Sequence, residues 1–244
     1  MRCPSRSPPS RCRALAAEPV LRPCSGAVPG FLPSRHGLRF PNSFPPGPTL
    51  RLGPFDPRVI GFGDAAAGLV APPDLLTPPA NGSPRFRAIV RRQVESLDWL
   101  RVPLRYLDKQ ALRPDPPSGL AARLRREPPR VDAVAREWPR IRSAIDAGLP
   151  VVVGLIRTAG LSPWALTHNH QVLAWRYEQT PSSIIIGVYD PNHPGRDDVE
   201  LRAALQPGDG PLRERVSLRQ STGEPLLAWF RQPYPPPRSV RAWR

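Results

Sequence analysis

The sequence predicts an α+β fold, with helices in the first half and antiparallel strands in the second. Apolar residues recur at helical spacing from Phe86 to Leu97, and again from Trp138 to Ile145. Short runs rich in Val and Ile, separated by turn residues, follow from Pro150 onward. Helices that precede the strands rather than alternate with them are the mark of this class.

The chain has 244 residues, which suits one domain with tails. Its 37 prolines far exceed the usual ~5% and imply long segments that are neither helix nor central strand. No apolar run approaches the ~18 residues of a membrane span, so no membrane partner is expected. The formal charge is +15. Lys109 is the only lysine, which leaves 34 arginines among the 35 basic residues. Such a bias, with Ala and Pro, is what a GC-rich coding sequence produces. The arginines are spread along the chain without interleaved aromatics, which argues against a specific nucleic-acid reader. A basic anion- or nucleic-acid-binding protein stays a second alternative, to be recognised by a steep salt dependence. Cys3, Cys12 and Cys24 are the only cysteines, and their spacing fits neither a zinc motif nor a closed disulfide framework. The apolar stretch from Ala14 to Leu21 is short and broken by Glu18 and Pro19, so it is no secretory signal, and the cytoplasm is the default compartment.

Residues 1–34 hold many Pro, Ser and Arg and read as a disordered tail. Residues 35–232 read as the domain and 233–244 as a Pro-rich tail. A first helix begins with Ser83 as N-cap and Pro84 as its first residue, and Pro103 is expected to end it. A Pro- and Arg-rich connector spans 113–130. A second helix runs from Asp132 to Ala147, buries Trp138, Ile141 and Ile145, and stops at Gly148. Strands are expected over Pro150–Ile156, Gln171–Tyr177, Ser183–Tyr189, Val199–Leu205, Val216–Arg219 and Leu226–Arg231.

The residues that can carry chemistry lie where two of these strands end. His170 opens one and Asp190 closes the next. In a hairpin the two would share one end of the sheet, where a carboxylate can orient an imidazole as a base. The bland alternative is a surface histidine and a turn aspartate before proline.

The run Asn169-His170-Gln171-Val172-Leu173-Ala174, then a strand, then Tyr189-Asp190-Pro191-Asn192, resembles the His and Asp segments of papain-like cysteine peptidases. The nearest branch includes the bacteriocin-leader peptidases. Pro33 to Leu38, Gly63 to Leu69, Trp138 to Ile141 and Gly148 to Val151 resemble uncharacterised actinobacterial members, so that the likeness spans about residues 30 to 232. It implies a papain-like fold, with N-terminal helices packed on a C-terminal antiparallel sheet. It implies His170 as base and Asp190 as its orienter, with Asn192 as a lesser candidate. No cofactor is implied, and the partner would be a peptide or protein. In that family a cysteine starts a core helix, whose N-terminus lowers the thiol pKa. Here Gly68-Leu69 is followed by Val70-Ala71-Pro72-Pro73. The nucleophile is therefore absent near Val70, together with a helix of about 15 residues. Loss of that layer would leave an apolar sheet face bare.

The resemblance thus implies a degenerate, catalytically inactive domain, a pseudoenzyme or peptide-binding remnant. The first alternative is an active hydrolase using another group. Ser162 and Thr167 lie near His170 in sequence but have no evident oxyanion hole. A metal held by His168, His170, Asp190 and His193 is the other route, with His168 and His170 on the same side of a strand.

Overall fold

A computed structural model describes residues 22–41, 76–80, 82–88, 101–112, 128–160, 168–207 and 212–233. In chain order the elements are β1 (Cys24–Ala27), α1 (Pro33–His36), α2 (84–88) and α3 (Arg101–Leu107). Then come α4 (Pro129–Asp132), α5 (Trp138–Asp146), β2 (Val151–Ile156), β3 (His170–Thr180) and β4 (Ser183–Tyr189). β5 (Glu200–Leu205), α6 (Leu212–Arg215), β6 (Val216–Gln220) and β7 (Ala228–Arg231) complete the chain. A π-helical turn, Asp108–Leu112, extends α3, and another, Ala133–Glu137, joins α4 to α5. The expected α+β class and the C-terminal strands are all present.

The strands form one antiparallel sheet in the order β6-β5-β4-β3-β2-β7. β3 is the longest strand and serves two partners along one edge. Its first half pairs with β2, Leu155 opposite His170, and its second half with β1, Cys24 opposite Gln179. β4 takes the other edge, with an irregularity between Ala174 and Arg176. The sequence assigns residues 22–34 to a tail, and the structure corrects that boundary. The far half of β3 needs an edge partner, and the small residues of β1 fill it.

The core lies between α5 and the sheet. Trp138, Ile141 and Ile145 face Val153, Ile184 and Ile186. Gly148, at φ 75°, lets the chain turn out of α5, and the Leu149 N–H closes back on the Ala144 carbonyl. β2 is buried on both faces, which is why it reads as an unbroken apolar run. On the face opposite Val153, Ile156 joins Tyr106, Ala228 and Phe230 in a smaller cluster. A Cβ on Gly154 would stand 2.7 Å from the Tyr106 hydroxyl and 2.8 Å from Phe230, so this close approach requires glycine. The bare face expected from a lost central layer is therefore not found at β2.

A buried charge cluster ties α3 to the second helical unit. Lys109 bonds Asp132, and Arg105 Nη2 lies 2.6 Å from Glu137 Oε1. Glu137 and Arg105 also serve the backbone of Arg231, taking its N–H and capping its carbonyl. At Arg231 the outer edge of β7 is met by side chains, and among the described residues no strand pairs there. α4 packs against both β6 and β7, so a short helix bridges the two rims of the curled sheet. Helix α2 starts as expected, with the Ser83 hydroxyl accepting the Phe86 N–H at 3.1 Å. The chain does not leave helix at Pro103, however, because Arg101–Leu107 is helical throughout. A proline loses one hydrogen bond and crowds the carbonyl four residues back, a cost that weakens a helix without always ending it. Val70, Ser162 and Thr167 lie outside the described residues, as do Cys3 and Cys12.

Candidate functional site

The hairpin β3–β4 brings His170 and Asp190 together. Leu173 faces Tyr189 in the register, so the first residue of β3 and the residue after β4 meet at one end of the sheet. His170 Nε2 lies 2.7 Å from Asp190 Oδ1, and the pair is almost wholly buried. The same oxygen accepts the Asn192 N–H at 2.8 Å. Asp190 Oδ2 accepts Gln220 Nε2 at 2.9 Å, with Arg157 Nη2 3.8 Å away.

Burial alone would push the Asp190 carboxyl up. The hydrogen bond and charge of His170, the Asn192 N–H and the Arg157 guanidinium outweigh it and hold the group below the usual carboxylate range. At neutral pH Asp190 is therefore an acceptor only, so the hydrogen of the bond belongs to His170 Nε2. That leaves Nδ1 as the nitrogen free to take a proton, and it makes no hydrogen bond among the described residues. A lowered folded-state pKa stabilises the fold above the unfolded value of about 3.9 and ceases to do so as pH falls through the folded value. Acid unfolding followed by tryptophan fluorescence should therefore begin below about pH 4, and Asp190→Asn should flatten that limb.

The histidine is fixed from behind as well. Its carbonyl accepts the Tyr106 hydroxyl at 3.0 Å, and that hydroxyl accepts Gln232 Nε2. Gln232 in turn accepts from Gln171. Asn169, beside His170, accepts the Arg157 N–H and donates to Gln110 Oε1. Gln110 belongs to the π-helical turn after α3 and also grips Gly160. On the opposite side, the Tyr189 hydroxyl accepts the Leu38 N–H, which lays the amino-terminal segment over the end of β4.

Other expected site residues stand elsewhere. Asn192 meets the site through its backbone, not its side chain, so Asp190 alone orients the imidazole. His168 lies before the strand and is exposed, so it does not share a strand face with His170. His193 pairs with Glu224 at 2.7 Å instead. No group of three or more His, Cys, Asp or Glu among the described residues could hold a metal ion. Cys24 sits opposite Gln179, nine positions along β3 from His170. At ~3.3 Å per residue that is roughly 30 Å, so its thiol belongs to the other end of the sheet.

Gln220, Arg157, Tyr106 and Gln110 were not singled out in the sequence. Among the described residues no helix is long and apolar enough to cross a membrane. Comparison with protein-family models, with curated proteins and with solved structures finds no match to this chain.

Proposed function

We propose that the chain is a degenerate papain-like cysteine peptidase domain that keeps its imidazole–carboxylate pair without the thiol, and so binds a peptide without cleaving it. The observation that supports this reading is the bond from His170 Nε2 to Asp190 Oδ1 at the end of an antiparallel sheet preceded by helices. With Nε2 committed to the carboxylate, Nδ1 is the atom that would face a nucleophile. No cysteine of this sequence lies between Cys24 and the C-terminus, so no thioester can form there.

A second reading is an active hydrolase that uses a different nucleophile. The ionised Asp190 favours it, because it takes the Nε2 hydrogen bond and leaves Nδ1 as the acceptor nitrogen of the ring. One experiment separates the two. A library of fluorogenic peptide amides and esters is tested with the wild-type chain and with His170→Ala. The first reading expects equal background rates in both, with saturable peptide binding to the wild type. Turnover that falls by about 100-fold in His170→Ala would establish the second reading. Absence of both turnover and binding would remove both.

A further inference from the structure

Asp190 is met from the end of β6 and the turn after it by a chain of side chains that the papain-like reading does not use. Gln220 Nε2 donates to Asp190 Oδ2 at 2.9 Å and to Thr222 Oγ1 at 2.8 Å. Gln220 Oε1 accepts Arg157 Nη2 at 3.0 Å. Thr222 Oγ1 donates to Glu224 Oε2, and Glu224 Oε1 accepts His193 Nε2 at 2.7 Å. The loop after β4 is thus tied at two points, through Asp190 to the end of β6 and through His193 to the turn that follows it.

The direction of every bond in this chain is forced. Arginine has only donors, so it must face the amide oxygen of Gln220. The amide NH2 then faces Asp190 and Thr222, and has one hydrogen for each. A carboxylate at Glu224 only accepts, so it takes the single Thr222 proton. Thr222 must therefore accept from Gln220. Reversing the Gln220 amide would set oxygen against carboxylate at one end and donor against donor at the other. Gln220 is buried, so water does not readily replace what it would lose.

We propose that Gln220 is a positioning residue for the His170–Asp190 pair, held in its working orientation by Arg157 at its oxygen and by Thr222 and Glu224 at its amide nitrogen. The role rests on the reading of that pair as the working centre of the site. Gln220 saturates the carboxylate oxygen that His170 does not use, which stops the carboxylate from turning about its own bond. The carboxylate is thereby held in the geometry of its bond to His170 Nε2, which strengthens the preference of the hydrogen for that nitrogen.

The test reads that tautomer directly. Nitrogen-15 NMR of His170 is recorded in the full chain for wild type, Gln220→Leu, Thr222→Val and Thr222→Ser. In Gln220→Leu the form with hydrogen on Nδ1 should rise by about fivefold, the ratio a typical hydrogen bond represents, and in Thr222→Val, where Arg157 still faces the amide oxygen, it should rise by a smaller factor. Thr222→Ser keeps the hydroxyl and should return the wild-type ratio. Thr222 is half-buried in a turn, so its valine variant should fold even if Gln220→Leu does not. An unchanged tautomer ratio in folded Thr222→Val would overturn the proposal, as would a serine variant no different from valine. The measurement needs neither peptide nor turnover. Its outcome is therefore read separately from that of the peptide-binding experiment.

Discussion

Asp190→Ala should destabilise the fold by about 3–5 kcal/mol, the usual result of removing one partner from a buried ion-paired network. Asp190 is fully buried and accepts from His170, Asn192 and Gln220, with Arg157 close by. Alanine leaves those donors facing a void, and the desolvation each suffered on folding is no longer offset. Against a total stability of about 5–15 kcal/mol, that is enough to unfold a sizeable share of molecules near body temperature. Asp190→Asn should cost less. Its oxygen can still meet His170 and the Asn192 N–H, but its NH2 then opposes the Gln220 amide. Urea unfolding at neutral pH should rank wild type, asparagine and alanine in that order of decreasing midpoint. The gap between wild type and alanine should narrow below about pH 4, where the carboxylate of the unfolded chain takes up its proton. Equal midpoints for wild type and alanine would mean that the pair is neither buried nor bonded as described.

Trp138→Ala should be of similar size, about 3–5 kcal/mol, but with a different cause and no acid dependence. The indole is among the largest fully buried side chains. It packs edge-on to Tyr177, with ring centres 5.1 Å apart, and its N–H meets Gln179 Oε1 at 2.6 Å. Removing it opens a cavity under α5 and strands the Gln179 oxygen at the same stroke. Trp138→Phe should recover most of the packing and only the hydrogen bond should be missed, a difference of about 1 kcal/mol. Because Gln179 lies opposite Cys24, the alanine variant should also loosen β1. Faster alkylation of Cys24 by a small thiol reagent would report this.

Much of the sheet was legible because its signals are local. Three valines in β2 and three isoleucines in β4 announce strands without knowledge of their partners. The buried stripe of Trp138, Ile141 and Ile145 is equally plain, since helical spacing puts those residues on one face. β1 was not legible. Cys-Ser-Gly-Ala has no strand preference, and the segment is placed only by the unfilled edge of β3. The helix through Pro103 is not legible, because the proline's lost hydrogen bond and steric clash make it read as a stop, while the helix continues to Leu107. In the site, His170 and Asp190 could be foreseen because each terminates a readable strand. Gln220, Arg157 and Tyr106 could not. A neutral or basic side chain that reaches across from another element leaves no periodic trace, and its importance lies in what it touches.

The tandem arrangement on β3 bears on the order in which the polypeptide can acquire its shape. Cys24 and Gln179 are separated by about 150 positions along the chain, so their pairing closes a very long loop and comes late. During synthesis the opening stretch would leave the ribosome well before its docking edge exists. Until β3 emerges, that stretch stays open to chaperones and proteases.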